Sequence, residues 1–215
     1  MYRLDLHTHS SGSPDGSLTI QQLERMFDGG RLNGVAITDH DSIQTAQYFQ
    51  GRLGADRIII GEEITTSQGE IIGLYLQHVI PAGLTAAETV RLIKEQGGLV
   101  YIPHPFETVR KGIALDVLET IADTVDIIEV HNGRAIFQNF GPQAVAWAAK
   151  HKIVTAASSD AHGFHGWGRT CSILKDVPVR DTLVMLLRDA TLVKGTVGYG
   201  GLLYPKLNRI RKKRS

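Results

Sequence analysis

Short apolar runs alternate with amphipathic stretches along most of the chain. At the start, Leu4 and Leu6 alternate with Arg3 and Asp5, which predicts a strand over residues 2–6. Residues 18–30 read as a helix, with Ser17 or Thr19 available to cap it and Gly29-Gly30 to stop it. Strand-length apolar runs follow at 34–38, 57–60, 99–102, 125–130 and 153–157, and Gln68-Gly69-Glu70 turns into a hairpin partner over 71–76. Helices are predicted between them at 42–50, 86–96, 115–122 and 143–150, and a last one at 181–188.

Apolar strands alternating with amphipathic helices predict parallel βαβ units, and no internal repeat or low-complexity linker interrupts them. One domain over residues 1–195 is expected, followed by a Gly-rich segment and basic C-terminal tail over 196–215. In barrels of this type the carboxyl ends of the strands share one face, where active sites form. That face matters here because the predicted strand ends keep carrying the same residue types.

The first strand runs into His7-Thr8-His9, and residues two apart on a strand point to the same side. A Ser- and Gly-rich loop follows and carries Asp15. Later strands end in Asp39-His40-Asp41, Gly61-Glu62-Glu63, Pro103-His104-Pro105, His131-Asn132-Gly133 and Ser159-Asp160-Ala161-His162. Of the chain's nine histidines, six stand at such ends, too many for ordinary loop or core histidines. His7, His9, Asp15, His40, Glu63, His104, His131, Asp160 and His162 are therefore candidate metal ligands. Imidazole and carboxylate without thiolate suit zinc, manganese or iron. Nine ligands exceed one tetrahedral site, so two or three divalent ions sharing a bridging carboxylate are expected. Such clusters bind phosphate oxygens, activate a bridging water and stabilise the leaving oxygen, which points to hydrolysis at phosphorus.

Composition narrows the setting. With 215 residues, 42% hydrophobic residues and a net charge of +1, the chain reads as a soluble globular protein without a strong field for nucleic acid or membranes. One cysteine, Cys171, excludes an intrachain disulfide and fits a reducing compartment. No run of about 18 apolar residues offers a membrane span, and the first residues lack an apolar signal region, so a cytoplasmic location is expected.

H-x-H after the first strand, T-D-H-D at 38–41, G-x-E at 61–63, H-P at 104, E-V-H-N-G at 129–133 and S-D-A-H at 159–162 resemble the PHP superfamily (polymerase and histidinol phosphatase). The match spans about residues 1–165. The resemblance implies a distorted (β/α)7 barrel with a trinuclear metal centre. It implies that His7, His9, Glu63 and Asp160 hold one ion. Glu63 would bridge to a second ion on His104 and His131, and Asp15, His40 and His162 would hold a third. Glu62 competes with Glu63 as the bridge, and the family spacing favours Glu63. Some relatives have His in place of Asp15, and many open the strand that here reads Glu70-Ile71-Ile72-Gly73 with His.

The expected activity is metal-dependent hydrolysis of a phosphate ester by a metal-bridging hydroxide. Its substrate would be a small phosphomonoester such as a nucleotide, or a short oligonucleotide. Glu63 and Asp160 would fix the ions, and Arg134 or Arg169 would clamp the phosphate, since a planar guanidinium binds two oxygens at once. Arg110 and Lys111 are further candidates for that task, and His165 for protonating a leaving group. Asp39 and Asp41 are candidates to orient His40, as metal-bound histidines need, and read equally as plain loop acids. His78 and His151 read as structural or surface residues. The basic run at Arg209, Arg211, Lys212, Lys213 and Arg214 can contact nucleic acid, although such runs are more often solvated. Two rival classes stand beside this reading: amidohydrolase-like hydrolysis of a C–N bond, and a catalytically silent metal-binding module.

Overall fold

Nine strands form one barrel-shaped sheet that nearly closes on itself, in a computed structural model that describes residues 1–213. They are β1 (Tyr2–Thr8), β2 (Gly34–Ile37), β3 (Ile58–Thr66), β4 (Gly69–Leu74), β5 (Leu99–Ile102), β6 (Ile127–Asn132), β7 (Val154–Ser158), β8 (Cys171–Leu174) and β9 (Thr191–Val193). The order across the sheet is β7-β6-β5-β4-β3-β2-β1-β8-β9. Asp160 N donates to His7 O at 2.9 Å and His9 N to Ala161 O at 2.9 Å, so the segment after β7 is tied to β1.

Helices α1 (Ile20–Asp28), α2 (Gln44–Leu53), α3 (Ala86–Glu95), α4 (Leu115–Thr120), α5 (Gly141–His151) and α6 (Leu183–Arg188) occupy the crossovers. Each starts and stops within a few residues of its predicted place. Thr19 and Thr85 cap α1 and α3 in reciprocal capping boxes with Gln22 and Glu88. The parallel βαβ pattern holds for β1-β2-β3 and for β5-β6-β7. It gives way at β4, which pairs antiparallel with both β3 and β5, and at β8 and β9. The cause at β4 is the tight Ser67-Gln68 turn, where Gln68 N donates to Thr66 Oγ1 at 3.0 Å and Gly69 takes φ 127°.

The inward face of the sheet explains where the site lies. Leu4, Leu6, Ala36, Ile59, Ile72, Tyr101, Ile127 and Ala156 meet in one buried cluster. Continuing by the two-residue period, Ile72 leads to Glu70, Ile127 to Glu129 and Ala156 to Ser158, while Ile59 leads through Gly61 to Glu63. The barrel interior is thus apolar at one level and polar at the next. Helices pack their apolar faces on the outside: Leu23, Met26, Ala46 and Phe49 cover Val35, Ile37 and Ile58, and Val90, Ile93, Leu118 and Trp147 belong with Val100, Ile102 and Ile128.

The C-terminal stretch is not an extended tail within the described residues. It forms α7 (Gly198–Leu202) and α8 (Tyr204–Lys212), and Arg214 of the basic run lies outside the described residues. No helix among the described residues is long and apolar enough to cross a membrane. Thr85→Ala removes the α3 cap and is expected to lower unfolding stability by about 1 kcal/mol in urea titration, the usual cost of such a cap.

Candidate metal centre

Glu63 stands at the middle of the polar layer. Its carboxylate lies 3.3 Å from His7 Nε2, 3.3 Å from His9 Nε2, 3.2 Å from His40 Nδ1 and 3.0 Å from His104 Nε2. Asp160 approaches the same rings from the other side, 3.7 Å from His7 Nε2 and 3.5 Å from His9 Nε2. Asp15 lies 3.6 Å from His40 Nε2 and 3.5 Å from His162 Nε2. Eight of the nine candidate ligands therefore converge, and all but His40 are buried. His104 (φ 28°) and Asp160 (φ 51°) hold left-handed backbone to aim these side chains, a conformation non-glycine residues adopt at a cost.

The donor set fits divalent cations. Ligand atoms of His9, Asp15, His40 and His162 lie within 4.8 Å of one another, as do those of His7, His9 and Glu63, of His7, His104 and Asp160, and of Glu63, Glu70 and His104. His9 Nδ1 and His104 Nδ1 are buried without a hydrogen-bond partner. The four groupings share members, as a cluster of ions with common ligands requires.

A second layer fixes this one. Glu129 lies 3.4 Å from His7 Nδ1 and accepts from Tyr101 Oη at 2.9 Å, His104 N at 2.7 Å and Asn132 Nδ2 at 2.8 Å. Sequence reading included Glu129 only as part of a motif. Its inward position on β6, two residues beyond Ile127, is the signal that could have found it.

Several expected residues stand elsewhere. His131 does not join the cluster: its Nε2 contacts Gly195 O at 2.8 Å. The pairing of β6 with β7 shifts register between Glu129 and His131, and this irregularity breaks the alternation that would have aimed both inward. Glu70, near the start of β4, lies in the group instead, 3.8 Å from His104 Nε2. Arg169 is exposed and lines a separate groove with Arg3, Arg31 and Trp167. Asp39 binds Ser10 N at 2.6 Å and Asp41 binds Thr65 N at 2.7 Å, so both anchor loops rather than orient His40. Glu62 points away from the cluster and accepts from Ile80 N at 3.0 Å, which leaves Glu63 as the shared carboxylate. His165 is exposed and stacks on Tyr204, His151 stacks on Trp147, and His78 is exposed.

Above the cluster opens a cavity of about 510 Å³. Asp15, His40, Glu63, Glu70, His104, Asp160 and His162 face it, with Arg110, Lys111, Arg134 and Arg209 around them. Arg134 Nη1 donates to Asp160 Oδ1 at 3.3 Å, and Arg110 Nη1 donates to Asp160 Oδ2 at 3.2 Å.

No protein-family profile matches the sequence. An uncharacterized protein of Methanocaldococcus jannaschii, MJ1587, is 32% identical over 150 residues, which are 64% of this chain and 87% of that protein. The chain belongs to the same family as MJ1587. A second uncharacterized protein of that organism, MJ0417, is 35% identical over 164 residues, covering 74% of this chain and 65% of its own length. Among solved structures, a two-domain protein from Bacteroides vulgatus containing a predicted PHP-like metal-dependent phosphoesterase superposes with TM-score 0.73 at 18% identity, over 90% of this chain and 65% of that one. The lesion-specific endonuclease PfuEndoQ from Pyrococcus furiosus superposes with TM-score 0.64 at 18% identity, over 89% of this chain and 57% of its own. The fold is the PHP type, as the motifs led us to expect, with nine strands in place of a regular (β/α)7 array.

Charge in this layer is mutually arranged. Burial alone would raise Glu63 and Asp160. Around Glu63 the imidazoles of His7 and His40 overcome it, and around Asp160 Arg134 and His7 do, holding both well below the usual carboxylate range. Burial pushes Glu70 up to about 9, and the nearby Glu63 adds to the rise. Burial, helped by His9 and Arg134, lowers His162 to about 3.

Glu62 is outside the cluster, and burial raises it to about 7. Its folded state holds the proton more tightly than the unfolded chain does. The resulting stability is full below the ordinary glutamate value and lost as pH rises through about 7. Thermal melts should therefore show Glu62→Gln gaining on the wild type between pH 5 and 8, by about 1–2 kcal/mol once solvent screening is discounted.

Proposed function

We propose that this chain is a metal-dependent phosphoesterase that hydrolyses a small phosphate ester, such as a nucleotide, or a short oligonucleotide. The observation that carries the reading is the Glu63-centred cluster at the floor of a cavity whose walls carry guanidinium groups. His7, His9, Glu63 and Asp160 would hold one ion, and Asp15, His40 and His162 another. A further ion would fall to Glu63, Glu70 and His104, with Glu70 in the role the motifs had assigned to His131. The all-nitrogen and oxygen donor set suits zinc, manganese or iron, and the extra carboxylate moves it toward the harder of these. Such ions, when bound, polarise phosphoryl oxygens and make water a better nucleophile near neutral pH.

The chain's own residues do the rest. Arg134 and Arg110 both donate to Asp160; Arg110 is otherwise committed to Glu107 and Asn132, whereas Arg134 would offer charge-assisted donors to the oxygens of a phosphoryl group seated over the cluster. Charge developing on the phosphoryl oxygens during displacement would be met by these preorganised donors. The cavity volume lies in the range of pockets that take nucleotide-sized ligands.

Elemental analysis together with phosphate release tests the proposal. With manganese or zinc added, p-nitrophenyl phosphate, a nucleoside monophosphate, histidinol phosphate and a short oligonucleotide form the panel. Two or three metal equivalents with release from any member are expected, and one metal or none with no release would sink it. Glu63→Gln and Asp160→Asn should each lose metal and lower turnover by more than ~100-fold, above the loss typical of outer-shell changes. Metal content should fall in Glu70→Gln and hold in His131→Gln; the reverse pattern would restore His131 as the ligand.

A further inference from the structure

Helix α8 bears on the site more closely than a surface helix would. The buried amide of Asn208 donates to Asp15 O at 2.7 Å and to His162 O at 3.1 Å, bridging the loop after β1 and the loop after β7. Lys212 Nζ donates to Ser11 O at 2.7 Å and also to Ser13 O, farther back on the first loop. Tyr204 stacks on His165 with ring centroids 5.9 Å apart. Three successive turns of the helix therefore grip the two loops that present Asp15 and His162.

This docking brings one side chain to the mouth of the cavity. Arg209 Nη2 donates to Asp15 Oδ2 at 2.7 Å, although the Arg209 side chain is 60% exposed. Pro205, one turn earlier, lines the cavity with it. A guanidinium has five N–H donors in a fixed fork. The Asp15 contact uses one nitrogen, and among the described residues no other hydrogen bond holds the rest. Arg110 and Arg134 stand at Asp160, whereas Arg209 stands at Asp15, so the cavity has a cation at each of these carboxylates.

We infer that α8 is a wall of the substrate site and that Arg209 binds an anionic oxygen of the phosphate ester while remaining tethered to Asp15. This rests on the phosphoesterase reading for the nature of the ligand. An exposed ion pair of ordinary kind would contribute little. What sets this one apart is that its acid is buried and its helix is pinned by the neighbouring Asn208. Arg209 is then a substrate-binding residue supplied by the segment that reads, in sequence, as a solvated basic run.

Calorimetric titration of metal-loaded protein with inorganic phosphate tests the inference directly, with metal content and melting temperature measured on each variant. Arg209→Ala is expected to weaken phosphate binding by about tenfold or more, the loss of a charge-assisted hydrogen bond, with metal equivalents and melting temperature held. Arg209→Lys should fall between the two, and KM for an active ester should rise more than kcat falls. Unaltered phosphate affinity in Arg209→Ala would overturn the inference. Loss of metal from that variant would also overturn it, because Arg209 would then act only by positioning Asp15. A wild type that does not bind phosphate overturns it as well. A wild type that binds phosphate through Arg209 yet cleaves no ester overturns the catalytic reading alone.

Discussion

A carboxylate surrounded by four imidazoles within 3.3 Å is the constraint around which this barrel is built. Taking an isolated carboxylate out of water is prohibitive, and the cost is met only where positive charge or strong donors replace the lost solvent. Glu63 lies on β3, His7 at the end of β1, His40 after β2 and His104 after β5. His7 and His9 reach that point from the end of β1, His40 from beyond β2 and His104 from beyond β5, and the curvature of the sheet makes that possible. The left-handed backbone at His104 and Asp160 is part of the same requirement, since a relaxed strand end would send those side chains elsewhere.

The second layer shows how position is transmitted. Glu129 collects His7, the main chain at His104, Tyr101 and Asn132, while Tyr101 Oη also lies 2.8 Å from Ser158 Oγ. One buried acid on β6 thus ties together groups from β1, β5 and β7. Asp39 does the same for the loop after β1 by holding Ser10, and Asp5 accepts from Ser159 N at 3.0 Å next to Asp160. Cationic groups at the cavity come from three separate loops or helices, so the anionic floor and its basic rim have distinct structural supports.

Much of this was legible in the chain. Apolar runs of strand length, glycine stops and threonine caps located six of the first seven strands and six helices to within a few residues, because each signal is local, whereas β3 continues six residues past its expected end to Thr66 and so contains Glu63. The convergence of His7, His9, Asp15, His40, Glu63, His104, Asp160 and His162 was legible because strand ends in a barrel share one face. What escaped depended on geometry without a local signature. A one-residue irregularity in β6 turned His131 aside, and the antiparallel run of β4 brought Glu70 in from the opposite direction. Cys171–Leu174 is interrupted by Ser172 and Thr191–Val193 has only three residues, so neither stands out as an apolar run, and the cationic α8 offered no hint that its inner side would meet Asp15 and His162.

The bond from Arg209 to Asp15 spans 194 residues, and that from Lys212 to Ser11 spans 201. Contacts of such separation carry a loop-closure entropy cost that grows only slowly with length. The loop with Asp15 follows the first strand of the barrel and the helix that pins it follows the last, so the other strands lie between them in the chain. The rim is therefore supplied by the last helix of the described residues, whereas the floor is supplied by the strands and loops before it. The contacts of Glu63 with His7, His9 and His104 involve no residue of α8, so releasing that helix would open the entrance above Asp15 without removing any of them.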